Sequence, residues 1–537
     1  MARALFLLSV VTSAHCVAGG SANVWPPSAY TQALATLSQM TLDEKVRLVS
    51  GDNAQYEKNC TGAADPVKNC AYVGWQHGVP RLNLADTYME DGPQGVADGQ
   101  KSVTQWPGVQ TVSMAWNVSL ARDFAVAMGV EQAAKGSSVM LGPAVALIRC
   151  PLSGRNFEYI SEDPSFNAAV AEALVSGIQA GSNISACVKH WIFNSQETNR
   201  SGMSTRVPER VGRELYEPPY AAAVDAGVGF VMCSFNRING STYSCANDAG
   251  LNQWLKKDLA FDGAVVSDWG ATHGTSDFAI GGLDIEQEWV KNATYFGPNL
   301  AACVANGTVP ASRLDDMALR TLRAAYALGF AQGAPASANP SAVVNTSAHA
   351  VLAADLARAS LVLLKNDRGF LPLRADALPR GVAIFGQDGA VSGGGSGGVV
   401  APYTISALEG ISAVLPSVNV TYLAGNRDEI MSGRVSALAA AVDVVIIVVA
   451  VGGGEGSDRQ NLSASCAPWA GSKSCTWWPD QVSAEGCTSH FPETHAHAVP
   501  PPSPLPLEGR FCHIRTRRQP ACRRRVALSG GRSHALD

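Results

Sequence analysis

The sequence predicts an α/β protein of two successive units, and three features carry that expectation. From about residue 25 to 325, short apolar runs alternate with helix-patterned segments, as in parallel sheets covered by helices. A Gly/Ala/Pro/Ser-rich stretch, Ala331–Ala342 (AQGAPASANPSA), then interrupts the pattern in the manner of an interdomain linker. Beyond it, Val442–Val451 (VDVVIIVVAV) reads as the continuous apolar run of a parallel strand covered on both faces.

Each element follows from local patterning. Ala121–Gly136 has an amphipathic helical period, and Phe166–Ala180 is a second helix with Glu162-Asp163-Pro164 at its start. Gly229–Phe235 (GFVMCSF) and Gly263–Trp269 (GAVVSDW) read as buried strands. After the linker, a helix runs through Ala348–Leu364, followed by strand-like runs at Val382–Gly386, Val418–Leu423 and Val442–Val451. The character changes after about Asp480. Residues 498–508 (AVPPPSPLPLE) are Pro-rich, and arginines crowd at 510, 515, 517, 518, 523, 524 and 525 without period or caps. This stretch reads as a disordered tail or as sequence foreign to the fold; a basic tail for a polyanion is the weaker reading.

Composition narrows the class. A chain of 537 residues, 46% hydrophobic and 16% charged, can bury large cores and is too long for one ordinary domain. A formal net charge of -5 and a pI near 6.1 favour neither nucleic acid nor an anionic membrane as partner. Arg3, the apolar Leu5–Val11 and the small residues up to Ala18 read as a signal peptide, and no later segment is apolar enough to span a bilayer. Asn-x-Ser/Thr sequons at Asn59, Asn117, Asn183, Asn199, Asn239, Asn292, Asn306, Asn345, Asn419 and Asn461 point the same way. So do the close cysteine pairs Cys60/Cys70, Cys233/Cys245 and Cys466/Cys475, which suit short-loop disulfides in an oxidising compartment. Zinc is the weaker reading of those cysteines, because no CxxC or HExxH spacing exists.

The chemistry-bearing residues fall at strand ends and in loops. Asp268 ends the run Val265-Val266-Ser267, where barrel enzymes place catalytic groups, with Trp269 beside it to suit a sugar face; an Asp there also serves as an ordinary helix cap. Lys189-His190 ends the run Ile184–Val188 and offers two donors to a hydroxylated ligand, or forms a plain salt-bridged loop. Arg155 and Glu158 lie in GRNFE, and Asp91 lies in the turn-forming EDGPQG, where it can grip a diol or simply cap the turn. Glu455 sits in the loop GGGEGSDR after the last apolar strand. That loop and the run GGGSGG around Ser396 both lack the Lys-Ser/Thr ending and the GxGxxG spacing of phosphate loops.

In order along the chain, MEDGPQGV, LGPAVALIRCPLSGRNFEYISEDP, VKHWIFNSQETNR, PERVGRELYEPPYAAAVDAG, VMCSFNRING, VVSDWGA, SLVLLKN, GGGSGGV and EGSDRQNL resemble glycoside hydrolase family 3, in its fungal-type β-glucosidase branch. The resemblance covers about residues 80–465. Together with the signal peptide read at 1–18, the linker at 331–347 and the tail at 481–537, it implies a (β/α)8-type barrel within 19–330 and a partial α/β sandwich within 348–480. It implies a retaining exo-acting β-glucosidase, secreted and needing no cofactor or metal, whose substrate is a β-glucoside oligosaccharide. Asp268 matches the nucleophile and Glu455 the general acid/base. Asp91, Arg155, Lys189, His190 and Arg200 match sugar-holding groups, Met232 and Trp269 the walls of the first subsite, and Ser396 a contact from the second unit.

The mechanism sets expectations for charge. Retaining enzymes place their two carboxyl groups about 5–5.5 Å apart. Asp268 must stay ionised, with Lys189 and His190 expected to lower its pKa, and Glu455 must first carry a proton, so its pKa is expected to be raised. Three departures stand out. Ala97 and Asp98 occupy the place where the family usually has an Arg after the GPxG loop, leaving Arg81 or another group to supply that contact. Phe235 stands where Tyr is common. The second unit offers three of six sandwich strands, so 442–451 is expected to lie open at a side or edge and the Glu455 loop to be loosened. The alternatives are a β-xylosidase or exo-β-glucanase of the same family, or an inactive, non-catalytic glycan-binding product. The N-acetylglucosaminidase branch fits less well, since VKHWIFNSQETNR lacks its KHxPGHG loop.

Overall fold

Alternation along the strands sorts the apolar residues of the N-terminal unit into an inner and an outer layer. In the computed structural model, six strands pair side by side in chain order: β1 (Gly74–Gln76), β2 (Thr87–Asp91), β3 (Val139–Leu141), β4 (Ser185–Trp191), β5 (Phe230–Cys233) and β6 (Ala264–Ser267). Met89, Leu141, Cys187, Met232 and Val266 pack together in an inner core. Residues one step away, such as Met140, Ala186, Val231 and Val265, pack in the outer core with Phe124, Leu174 and Tyr220 of the surrounding helices. This period of two is what a barrel wall requires, and each such side chain contributes roughly 1.5–3 kcal/mol by leaving water. Residues 25–52, 72–240, 242–288, 295–333, 338–386, 393–425 and 427–459 are described, all within the unit Met1–Val482.

The expected (β/α)8-type barrel is present, with irregular closure. β2 to β6 are parallel, while β1 runs antiparallel to β2 through Gly74↔Met89. Single bridges complete the ring: Val266↔Ile285, Glu286↔Ser50 and Asp52↔Trp75. Eight segments therefore close it, two of them too short to be strands. Outside lie helices Val118–Lys135 and Pro164–Ile178. The first begins where the Asn117 side chain accepts from Leu120 N and stops at Gly136, φ 98°. The second begins where Asp163 accepts from Phe166 N at 2.8 Å, ahead of Pro164. Both start slightly earlier than the apolar pattern indicates, because caps rather than apolar spacing set a helix start. A disulfide joins Cys233 at the end of β5 to Cys245. The other two cysteine pairs, the signal segment and the tail lie outside the described residues.

The linker region is fastened to the barrel: Asn339 N donates to Ala134 O, and Lys135 Nζ donates to Pro340 O. The next helix, Ser347–Ser360, ends before the expected Leu364, and Leu361–Leu364 is exposed. Three parallel strands then pair as β8–β7–β9, with β7 (Val382–Gly386) between β8 (Val420–Leu423) and β9 (Val444–Val448). One face packs on Leu408 and Ile411, the other on Val435 and Leu438. β7 is buried throughout. The last apolar run is not a fully covered strand: among the described residues β9 pairs only with β7, and Val445 and Ile447 are 40% and 61% exposed. The helix over that face covers Ala383 and Phe385 of β7 and ends short of their partners on β9.

Candidate active site

The inner-layer period carries Asp91, Lys189 and Asp268 to the C-terminal mouth of the barrel, each an even step from Met89, Cys187 and Val266. On β4 the register shifts between Val188 and Trp191, which brings His190 to the mouth beside Lys189. Asp268 is buried; its Oδ1 accepts from Trp269 N at 2.9 Å, and its Oδ2 has no hydrogen-bond donor and lies 3.5 Å from His190 Nε2. Burial pushes the Asp268 pKa up to about 6, assisted by Glu455 and opposed by Arg200, Arg155 and Lys189. The expectation that Lys189 and His190 would hold it low is therefore corrected: loss of water outweighs the cations. His190 adds no charge, because burial and then Arg155 and Lys189 push its own pKa well below the ordinary value.

Around Asp268 stand the expected polar groups. Lys189 Nζ lies 3.6 Å from Asp91 Oδ1. Burial, then Asp98, raises the Asp91 pKa well above the usual range, with Lys189 opposing. Arg155 is fully buried and fixed by a two-pronged pair with Glu158, Nε to Oε1 at 2.9 Å and Nη2 to Oε2 at 3.0 Å, which leaves Nη1 without a hydrogen bond. Trp269 packs in the inner core with Met232, its indole N–H donating to Val73 O. Phe235 carries the Arg200 guanidinium 4.2 Å above its ring, so the position where Tyr is common supports a cation instead. Arg81 does not reach the mouth: it pairs with Glu44 on the surface, and Asp98 comes beside Asp91.

Two glycine-rich loops of the second unit cover this mouth. They join each other at the bridge Gly394↔Gly454. Gly393 N donates to Gln94 Oε1, and a Cβ on Gly393 would meet the Phe157 ring at 2.0 Å, so only glycine lets the loop lie so near. Glu455 is then set between two guanidiniums, 2.9 Å from Arg200 Nη1 and 3.5 Å from Arg155 Nη1. Ser396 N donates to Glu455 Oε2 at 3.0 Å, while Ser396 Oγ accepts from Arg155 Nη2. Burial would raise the Glu455 pKa, but Arg155, Arg200 and the Ser396 amide together hold it well below the usual carboxylate range. The expected raised acid is thus corrected for the ligand-free site: here Glu455 is a carboxylate, and Asp268 is the carboxyl with the higher pKa.

The expected loosening of the Glu455 loop is not seen either. Asp458 Oδ1 accepts from Gly154 N at 3.0 Å and Glu197 N at 2.9 Å, and its Oδ2 accepts from Thr198 N at 2.8 Å. In return Gly456 N donates to Glu197 Oε2, which also takes Arg200 Nη1 at 2.8 Å. The polar site residues meet in this cluster; Met232 packs with Trp269 in the inner core, and Ser396 serves Arg155 and Glu455. Glu197 and Asp458 carry no role on sequence grounds, although both lie in family-like stretches. Carboxylates that bind backbone amides leave no pattern in sequence.

Comparisons with known proteins identify the family. Residues 81–324 match the Glycosyl hydrolase family 3 N terminal domain and residues 361–470 the Glycosyl hydrolase family 3 C-terminal domain. Probable beta-glucosidase L of Emericella nidulans is 37% identical over 496 residues, 85% of this chain and 64% of the relative. Beta-glucosidase 1 of Aspergillus aculeatus is 34% identical over 503 residues, 81% of this chain and 56% of the relative. The crystal structure of Beta-D-glucoside glucohydrolase from Trichoderma reesei aligns with a TM-score of 0.72 at 32% identity, covering 81% of this chain and 63% of that one. Beta-glucosidase 3B from Thermotoga neapolitana in complex with glucose aligns at 0.69 and 28%, covering 80% and 64%. The chain therefore spans less than two thirds of the length of each of these relatives.

Proposed function

The chain belongs to glycosyl hydrolase family 3, and from that membership we propose that it is a retaining, exo-acting β-glucosidase that removes terminal non-reducing β-D-glucosyl residues. The observation that carries this reading is the pairing of a buried barrel carboxylate, Asp268, with Glu455 brought over the same mouth by the second unit, both within the field of Arg155 and Arg200. Asp268 attacks the anomeric carbon and the bond to the leaving oxygen breaks. Glu455 protonates that oxygen, then removes a proton from the water that releases the sugar. Asp91, Lys189 and Arg155 Nη1, which makes no hydrogen bond and pairs with Glu455 at 3.5 Å, offer a carboxyl group and cationic donors to the sugar hydroxyls.

The resting charges shape the cycle. Glu455 must gain a proton before the first step. A sugar that takes up the N–H groups of Arg155 and Arg200 weakens the interactions that keep Glu455 ionised. The second step needs Glu455 as a base, the form the ligand-free site already favours. We read the chain as secreted and glycosylated on the strength of its N-terminal segment, its sequons and the Cys233–Cys245 disulfide. Among the described residues no helix is long and apolar enough to cross a membrane.

The test is hydrolysis of p-nitrophenyl β-D-glucoside by the purified chain, with the first-formed sugar anomer followed by proton NMR. Wild type is expected to release β-glucose first, and Asp268→Asn to lose on the order of 10^4-fold or more in kcat while keeping its fold. First release of the α anomer, or equal activity in the Asn variant, would overturn the reading.

A further inference from the structure

Resting on the β-glucosidase reading, we propose that Asp458 is the positioning residue for the acid/base: a latch that docks the Glu455 loop on the barrel and so sets the distance from Glu455 to the leaving oxygen. The argument begins with connectivity. Glu455 reaches the site from the end of β9, which among the described residues is an edge strand with Val445 and Ile447 exposed. The sheet behind it therefore does little to fix the loop. What fixes it lies in front.

Asp458 is three residues from Glu455, and its carboxylate holds three backbone amides drawn from two barrel loops, those of Gly154, Glu197 and Thr198. Each loop also carries one of the cations that grip Glu455: Arg155 follows Gly154, and Arg200 follows Thr198 by two. The clasp is reciprocal, since Gly456 N donates to Glu197 Oε2 and Arg459 N to Leu152 O. One carboxylate thus ties together the acid/base and both of its guanidinium partners, so a shift of the loop changes Glu455 position and charge at once. Charge-assisted bonds to amides are strong and directional, which suits a latch on an otherwise glycine-rich segment. Asp458 does not touch the sugar; it acts through Glu455.

A merely structural anchor would lower all activities alike or lower only stability. A latch for the acid/base has a leaving-group signature. The experiment compares wild type, Asp458→Asn, Asp458→Ala and Glu455→Ala on a β-glucosyl disaccharide and on 2,4-dinitrophenyl β-glucoside, whose leaving group needs no proton. Hydrogen exchange of the Gly154, Glu197 and Thr198 amides is followed in the same proteins. Asp458→Ala is expected to lose about 10^2-fold in kcat on the disaccharide, because a displacement of about 1 Å at a catalytic group costs that much. It should lose little in kcat/KM on the dinitrophenyl substrate, because that ratio reports the first step, in which this leaving group needs no proton, while the water step still uses Glu455 as base. Asp458→Asn keeps two acceptor contacts and should fall between. The three amides should exchange faster in Asp458→Ala, while those of β4 do not. Equal losses on both substrates, or unchanged amide exchange, would overturn the latch. Wild type inactive on both substrates would instead overturn the β-glucosidase reading, and amide exchange would then judge the docking role alone.

Discussion

Asp268 and Glu455 illustrate how far a residue's chemistry depends on its surroundings. Both are carboxylates in one mouth, yet burial carries one pKa up to about 6 while two guanidiniums carry the other far down. A nucleophile must be ionised, so kcat/KM is expected to fall as pH drops below about 6; a pH profile flat down to pH 4.5 would contradict this. The raised pKa also acts on stability. A folded pKa above the ordinary 3.8 means that the folded state binds this proton more tightly, so ionised Asp268 destabilises the fold above about pH 6. That penalty is relieved as pH falls from about 6 toward 3.8. Asp268→Asn removes it and is expected to melt above wild type at pH 7.5. The gain is up to roughly 3 kcal/mol, since a tenfold change in proton affinity corresponds to about 1.4 kcal/mol. The gap should close toward pH 4, as read by Tm across pH. The identities of these residues were legible because each lies in a family-like motif. Their charge states were not, since they depend on arginines that the fold brings from up to 300 residues away in the chain.

At the scale of elements, apolar runs located the strands and caps decided the helix starts. β5 and β6 fall within the expected 229–235 and 263–269, and β7 matches Val382–Gly386. The 285–286 and 50–52 segments that close the barrel are too short to leave a periodic signal, so the closure was not legible. Nor was the docking of the glycine-rich loops, which composition alone renders as flexible. Gly154 tests that docking independently of Asp458. A Cβ there would stand 1.9 Å from Ser457 O and 2.4 Å from Gly454 O, both backbone atoms that cannot rotate away. Gly154→Ala must therefore push the 454–457 segment outward. The expected result is about 10^2-fold lower kcat on a β-glucosyl disaccharide with the barrel still folded by circular dichroism. Full activity would mean that the segment slides without consequence.

At the scale of the whole chain, the two carboxylates proposed to be catalytic come from the barrel and from the sheet region that follows the linker, so that half-covered sheet has to hold its shape for the proposed site to exist. Val382–Gly386 is shielded on both faces, and the capped helix Ala407–Val414 secures one of them. β9 is the weak side. Val445, Ile447, Val449 and Val451 are 40%, 61%, 54% and 49% exposed and form one apolar stripe beside a strand paired only through β7 among the described residues. Such an edge is a template for another strand, and burying it against a second copy would be favourable at roughly 25 cal/mol per Å². The chain is therefore expected to associate as concentration rises. Ile447→Lys places a charge in the middle of the stripe, away from the loop contacts of Glu455. At an exposed position it should change stability by no more than about 0.5 kcal/mol, and it should leave turnover intact. Light scattering against concentration reads the outcome: a lysine variant that stays monodisperse where wild type grows identifies β9 as the adhesive edge. Equal growth in both would move the cause to another surface, of which the exposed Leu361–Leu364 stretch is the next to substitute.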